Sequence, residues 1–525
     1  MLTGDRLRIS ATLLDSDGDT LLSRQIVWSS SDEGVASVDE TGFVTAVGEG
    51  GATITATSEG VAGSISLSVE LEPQPVGFVG YADPITKLTA CGICHTEEQA
   101  EWKGTTHSQA LATLQSDDRA EVGCEPCHAV TEVGNAEEQP AGHQLTSDRR
   151  FNDVQCESCH GPGKDHAVAE LPGDEPPHAS IAEGRNPNNG CTECHRLLQQ
   201  PYLEEWDQSV MSKIPSYEIA AATDPSCLGC HEGKAALISR FGETADYLEK
   251  DDPDPLPIVC VVCHDPHNSD IPSGLRASVT EPSFDFLCLR CHALDEQPSG
   301  PRGPHAAQGR LLMSAAGWSP PGFEQEIENQ RFITTHGPAT NKDLCIRCHM
   351  PTFEVPGSYR TTGHIFDAIP CIDARGVPYS GDCPDPERTF DTCASNGCHG
   401  GPNFAMAVDY WGRIEQLNAL LDTLWTDTDG DRVIDPTDFG LLPNVVGLGD
   451  TIQFDLTDDS VTLAEGALWN AQLAHTADRT HFADGEVFGT RFWAAKSSGN
   501  GAHNPFLLEA LLRASIRSLH QLLGS

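Results

Sequence analysis

Cys156-Glu157-Ser158-Cys159-His160-Gly161-Pro162-Gly163-Lys164-Asp165-His166 contains the pattern on which the chain is built: two cysteines three residues apart, with histidine directly after the second. The same spacing recurs at Cys91/Cys94/His95, Cys124/Cys127/His128, Cys191/Cys194/His195 and Cys227/Cys230/His231. It returns at Cys260/Cys263/His264, Cys288/Cys291/His292 and Cys345/Cys348/His349. A ninth copy, Cys393-Ala394-Ser395-Asn396-Gly397-Cys398-His399, is stretched by two residues. Two thiols so spaced share one turn of chain, where each can bond one vinyl group of a porphyrin while the next imidazole reaches the iron. Zinc ribbons and disulfides also use paired cysteines. Neither needs histidine at one fixed offset, and nine such coincidences would arise by chance on the order of 10⁻¹². About nine covalently bound haem c groups are therefore expected.

Composition agrees with a cofactor-filled interior. Of 525 residues only 38% are hydrophobic and 6% aromatic, while there are 49 Gly and 35 Pro. So long a chain would want more large apolar side chains for a conventional core. From Cys91 to His399 one motif falls about every 34 residues, a density at which porphyrins touch and supply the apolar core themselves. Mostly loop with short helices is the fold expected there. The balance of 78 acidic against 32 basic residues, a net charge of −46, repels phosphate backbones and excludes nucleic-acid binding. No apolar run approaches the ~18–20 residues that cross a bilayer. The chain shows no signal peptide and enters a strand pattern soon after Met1, Leu2, Thr3 and Gly4. That reads as a processed or truncated start, since haem attachment and paired thiols imply an extracytoplasmic protein, periplasmic or at the cell surface. Cys371 and Cys383 precede no histidine, and in such a compartment are expected to form a disulfide.

Residues 1–71 read as all-β. Leu7, Ile9, Ala11 and Leu13 alternate with polar neighbours, as do Ile54 and Ala56, then Ile65, Leu67 and Val69. Turn signals separate these runs at Asp17-Gly18-Asp19, Thr41-Gly42 and Gly48 to Gly51. The stretches Val27 to Asp32, Val35 to Asp39, Gly42 to Ala46 and Gly51 to Ala56 resemble the bacterial immunoglobulin-like group 2 domain, with its first strand missing. The resemblance implies a β-sandwich spacer or adhesion module. Residues 72–87, with Pro73, Pro75 and Pro84, are the expected linker; 88–403 the multihaem region; and 404–525 a helical C-terminal region. In the last, Trp411, Ile414, Leu417, Leu421 and Leu424 keep helical spacing, and Asn504-Pro505 starts a final helix with Asn as N-cap.

Low-spin haem needs a second axial ligand, and twelve histidines lie outside the motifs. The region 88–515 resembles multihaem cytochromes, particularly the tetrahaem electron carriers of ammonia oxidisers and their octahaem relatives. That resemblance implies His166 as a distal ligand through Cys156 to His166, His107 through Trp102-x-x-Thr105-Thr106-His107, and His267 through Cys263-His264-Asp265-Pro266-His267. It also suggests His305 in Gly303-Pro304-His305, His364 in Thr362-Gly363-His364, and His503 before the final helix. His143 and His336 are candidates on spacing alone. Met211 stands in Trp206 to Met211 where His107 stands in Trp102 to His107, so a thioether ligand is weighed there against a packing methionine. His178, His475, His481 and His520 are read as surface or structural residues. Asp427, Asp429, Asp431, Asp435 and Asp438 fall at positions 1, 3, 5, 9 and 12 of a candidate calcium loop, with Arg432 where Gly is usual and Asp438 where Glu is usual.

The expected function is electron transfer along the haems, with redox proteins or extracellular electron acceptors as partners. The alternatives are an oxidoreductase acting on small nitrogen or sulfur species, and a self-assembling subunit of a polymeric cytochrome wire. A lysine replacing the proximal histidine, which marks the catalytic haem of reductase-type relatives, occurs in none of the nine motifs.

Overall fold

The computed structural model describes residues 1, 5–21, 24–48, 50–69, 77–168, 177–182, 190–196, 200–213, 225–268, 270–280, 283, 285–294, 298, 300–331, 336–355, 360–394, 398–399, 401–458, 460–495 and 500–524. The chain divides into two compact units, residues 1–95 with 106–177, and residues 96–105 with 178–525.

The first unit opens with six strands: β1 (Arg6–Arg8), β2 (Val27–Ser30), β3 (Ala36–Val38), β4 (Phe43–Ala46), β5 (Gly50–Ser58) and β6 (Val61–Val69). They form two antiparallel sheets in the orders β1-β4-β3 and β2-β5-β6. β5 and β6 pair over their full length, from Gly50 opposite Val69 to Ser58 opposite Val61. Glu59 and Gly60 close this hairpin with φ of 49° and 84°, the doubly positive pair that matches strand twist. Ala36, Val44, Ala46, Ala52, Ile54 and Val69 are buried between the sheets, with Trp28 packed against them. Ile65, expected to face inward by alternation, is 48% exposed. β1, β3 and β4 have only three or four residues each and cover part of the nine-residue hairpin.

The expected linker is shorter than 72–87. Residues 72–76, including Pro73 and Pro75, lie outside the described residues. Phe78, however, packs with Val130, Ala141 and Phe151, and Tyr81–Asp83 pairs with Leu88–Thr89. Buried Asp153 explains the order here: it accepts from Tyr81 Oη at 3.0 Å, Lys87 Nζ at 3.0 Å and Leu111 N at 3.1 Å. These residues belong to the haem-motif region.

In the second unit, short helices, including α1 (Tyr202–Gln208), alternate with loops up to residue 400. The only long apolar core among the described residues then follows, on α2 (Asn403–Leu424), α3 (Leu463–Ala474) and α4 (Pro505–Leu523). Leu417, Leu421 and Leu424 bury the face that their spacing predicts. Ala307, Leu311, Ala316 and Ile327 join the same core, so the helical region recruits residues N-terminal to the expected boundary at 404. Asn504 caps α4, accepting from Leu507 N at 3.1 Å, with Pro505 in the first turn. No helix among the described residues is long and apolar enough to cross a membrane.

Candidate haem sites

The eight regular cysteine pairs each sit on a single tight turn. The backbone N–H of the motif histidine donates to the carbonyl of the first cysteine at 2.9 Å for His95, His160, His195 and His264, and at 3.0 Å for His292. In the stretched motif His399 N donates to Cys393 O at 3.3 Å, across six residues instead of four, of which Ser395, Asn396 and Gly397 lie outside the described residues. Thiols of different motifs also meet: Cys91 with Cys156 in the first unit, and Cys230 with Cys291 and Cys288 with Cys345 in the second.

The chain alone encloses the attachment thiols only in part. Cys94 and Cys398 are exposed and the other sixteen attachment cysteines are half-buried; none of them forms a disulfide. The turns themselves are intact. Cys94 N donates to Cys91 O at 3.1 Å and Cys194 N to Cys191 O at 3.2 Å, while Cys127 lies in the 3-10 turn Val122–His128 behind Pro126. Cys288 and Cys345 lean on an apolar cluster of Phe286, Leu289 and Leu344, and Val261 and Val262 of the sixth motif join another, whereas among the described residues no residue of the other six motifs joins one.

Five motif histidines face a histidine from elsewhere in the chain. Ring centroids are 6.4 Å apart for His95 and His166, 5.7 Å for His231 and His305, and 6.4 Å for His264 and His364. They are 6.2 Å apart for His349 and His503, and 6.0 Å for His399 and His336. Two imidazoles bonded to opposite sides of one metal at about 2 Å would have centroids roughly 6–6.5 Å apart. The spacing therefore fits an iron in four of the five pairs, while His231 and His305, with Nε2 atoms 3.4 Å apart, stand closer than that. In the fourth region the Tyr202 ring stands edge-on to both His195, at 5.4 Å, and His364, at 4.9 Å.

The rings are oriented through Nδ1. His128 contacts Ala110 O at 3.0 Å, His160 contacts Pro177 O at 2.9 Å, His264 contacts Ser273 O at 2.8 Å and His349 contacts Phe366 O at 3.2 Å. His336 does the same with Ala502 O, and His364 contacts Thr362 Oγ1 at 3.0 Å. A proton held on Nδ1 by such a partner leaves the Nε2 lone pair for a metal. Burial pushes His305 and His364 down to about 4, and lowers His231, His264 and His292, which keeps these imidazoles neutral as ligation requires.

The loop of His364 is shaped by Gly363, whose φ is +83°; an added Cβ would lie 2.6 Å from the backbone of Met350. No L side chain fits there. In the first unit, buried Glu157, inside the third cysteine spacer, accepts from Val79 N, Gly80 N and Gly163 N at 3.0, 2.7 and 2.8 Å. It fixes the loop leading to His166. Burial pushes its carboxyl up, and these donors oppose that shift.

The other ligand candidates occupy different settings. His143 is buried with Nδ1 3.9 Å from Glu125 of the second motif. His107 opens a short 3-10 turn, and its carbonyl accepts from Val154 N at 3.2 Å. His267 lies 3.8 Å from Asp265 and is partly exposed. Met211 packs against the apolar cluster of Trp206, Leu237 and Val259. His475 and His481 contact the carbonyls of Gln472 and Trp425.

Cys371 and Cys383 form a disulfide. The acidic loop converges only in part: carboxylates of Asp427, Asp429 and Asp431 lie within 4.8 Å of one another. Arg432 adopts φ +63° where glycine is usual. Asp435 accepts from Thr437 N at 2.7 Å. Asp438 is buried and spends both oxygens on Trp425 Nε1, Thr428 N and Thr428 Oγ1, each at 2.8 Å. It anchors the loop to the core rather than facing the other three.

Sequence reasoning missed Glu157, Tyr202 and Glu205, which support the histidines without resembling ligands. Glu157 stood inside a motif, yet spacer positions carry no pattern; nothing in Glu204-Glu205-Trp206 distinguishes a buried carboxylate from an exposed one.

Repeated attachment turns, opposed histidines and an N-terminal β-sandwich define a multihaem c-type cytochrome carrying an immunoglobulin-like domain. Comparison with known sequences gives the particulars. Residues 2–69 match the bacterial Ig-like domain (group 2), residues 90–161 match cytochrome c554 and c-prime, and residues 257–297 match the doubled CXXCH motif. The chain is similar to the multiheme cytochrome MtrA of Shewanella baltica, 26% identical over 164 residues, which cover 28% of this chain and 44% of that protein. It is also similar to an alpha-L-arabinofuranosidase of Bifidobacterium longum, 33% identical over 120 residues, covering 23% of this chain and 11% of that enzyme. The chain thus spans less than half the length of these curated relatives.

Proposed function

We propose that this cytochrome binds nine haems and acts outside the cytoplasm as an electron carrier with closed, six-coordinate irons. The observation that carries this reading is the set of five histidine pairs, each joining one attachment motif to one histidine outside the motifs. Haem supplies a one-electron Fe(III)/Fe(II) couple whose potential follows axial ligand, hydrogen bonding and burial. The chain's share is to present the thiols on tight turns and to hold the Nδ1 protons of His128, His160, His264, His336 and His349 on backbone acceptors. The exposed Cys94 and Cys398 count among the attachment thiols in this assignment. His166, His305, His336, His364 and His503 are its distal ligands, with His107, His143, His267 and Met211 as candidates for the remaining irons. Thiol contacts bring the seventh motif against both the fifth and the eighth, a spacing suited to transfer between neighbouring centres. Extracytoplasmic placement is supported by the Ig-like domain and the disulfide. Redox proteins or extracellular acceptors are the fitting partners.

Intact mass after expression with haem-maturation machinery tests the count. Nine haems added to the chain are expected; eight would remove the Cys393/Cys398 site, and a colourless protein would refute the whole reading. The reduced protein should bind little carbon monoxide, and a mainly high-spin spectrum would overturn the carrier assignment.

A further inference from the structure

Glu205, on α1, is only 3% exposed and forms no ion pair among the described residues. Its carboxylate instead gathers the loop of a distal histidine, accepting from Thr362, 157 residues further along the chain. Thr362 N donates to Oε1 at 2.9 Å, Thr362 Oγ1 donates to Oε2 at 2.7 Å, and His364 N donates to Oε2 at 2.9 Å. The threonine hydroxyl has one proton. Having given it to Glu205, Oγ1 acts as acceptor toward His364 Nδ1, 3.0 Å away. That fixes the His364 proton on Nδ1 and leaves Nε2 bare on the side where the ring faces His264, 6.4 Å between centroids and 26° between planes.

We infer that Glu205, acting through Thr362, is a positioning residue that pins the His364 tautomer and lowers the potential of the haem attached at Cys260 and Cys263. The inference rests on the assignment of His364 as that haem's distal ligand. A carboxylate at the end of a hydrogen-bond chain makes an imidazole more basic, as in carboxylate–histidine–metal triads, and favours the more positive oxidised metal. Buried from water, the carboxylate acts across a short path with little screening. The backbone carbonyl behind His336, by contrast, offers a dipole without net charge. The geometry thus separates two otherwise similar histidine-paired sites by what stands behind the distal ring.

The test uses the full-length holoprotein with Glu205→Gln, Thr362→Val, the double variant, Thr362→Ser and His364→Ala, followed by redox titration and low-temperature EPR. Thr362→Val and Glu205→Gln should each raise one and the same midpoint potential while the haem stays low-spin. The expected change is at least about tenfold in its one-electron equilibrium, or about 59 mV. The double variant should shift no further than the larger single, because the two residues form one chain. Thr362→Ser, which keeps the hydroxyl, should restore the native potential. If Glu205→Gln misfolds, Thr362→Val carries the same measurement while keeping the carboxylate and its two backbone donors. Potentials unmoved in Thr362→Val, with only thermal stability lowered, would overturn the relay. His364→Ala separates the two levels of the argument: it should create one high-spin haem that binds carbon monoxide. An unchanged low-spin count in His364→Ala would refute the ligand assignment and the relay with it. A new high-spin haem in His364→Ala combined with immobile potentials in Thr362→Val would refute the relay alone.

Discussion

Replacing Asn504 with alanine tests how the final helix is fixed beside a candidate ligand. Asn504 is fully buried and works in two directions. Its Oδ1 accepts from Leu507 N at 3.1 Å, and its amide donates to Leu311 O at 3.1 Å across 193 residues of sequence. Loss of an N-cap costs about 1 kcal/mol. Leu311 O would keep its bond from Ser314 N, so the second loss belongs at the lower end of the range for a buried acceptor, about 1–2 kcal/mol. Together these give about 2–3 kcal/mol, or roughly 30- to 150-fold faster opening, at about 1.4 kcal/mol per factor of ten. Native-state hydrogen exchange of the α4 amides reads this locally, without requiring a chain of several units to unfold in one step. Asn504→Ser retains a cap oxygen and loses the amide donor without burying a charge, so it should recover about 1 kcal/mol of the deficit. Less than about threefold acceleration in Asn504→Ala would refute the argument. Equal effects of Ala and Ser would show that the cap contributes nothing.

Gly363→Ala should destabilise the second unit by at least about 1–2 kcal/mol, the cost of forcing an L residue to positive φ, and displace His364 enough to produce a high-spin haem; an unperturbed spectrum counts against the described loop. Burial lowers the His475 pKa in the fold, so its contribution is present at neutral pH and is lost as pH falls below its ordinary 6.5. Chemical denaturation from about pH 7.5 down to about 5 should show that loss, and His475→Asn should flatten it. In the acidic loop, Asp429 and Asp427 raise the Asp431 carboxyl through like-charge repulsion, against a lowering backbone bond from Val433. Asp429→Asn should raise the melting temperature at low ionic strength, with salt removing the gain; a gain that persists at high salt would exclude repulsion as its cause.

How far the sequence could be read depended on whether a feature is local. The attachment turns were legible because the two thiols and the imidazole must lie within one turn, so their chemistry is written in five consecutive residues. What surrounds each turn was not: nothing in the motif tells the exposed Cys94 from the thiols that lean on an apolar cluster, because enclosure comes from other parts of the chain. The cap at Asn504 and the helical stripe of Leu417, Leu421 and Leu424 were legible for the same reason as the turns. Residues 77–87 looked like linker because a proline and turn residues dominate them; what orders them is Asp153, 66 positions beyond Lys87. Ile65 followed the strand alternation but found too short an opposing sheet to cover it.

By itself, then, the sequence determined the cofactor class, the candidate attachment residues, the immunoglobulin-like domain and the acidic surface, all properties of composition or near-neighbour spacing. Tertiary structure decided which histidine faces which: His231 meets His305, His349 meets His503, and His399 meets the earlier His336. Such partners are separated by 63 to 154 residues in these three pairs, and no local rule links them. Only the folded chain could place a buried Glu205 behind Thr362 and His364, because a carboxylate's effect depends on the burial and donors around it rather than on its neighbours in sequence.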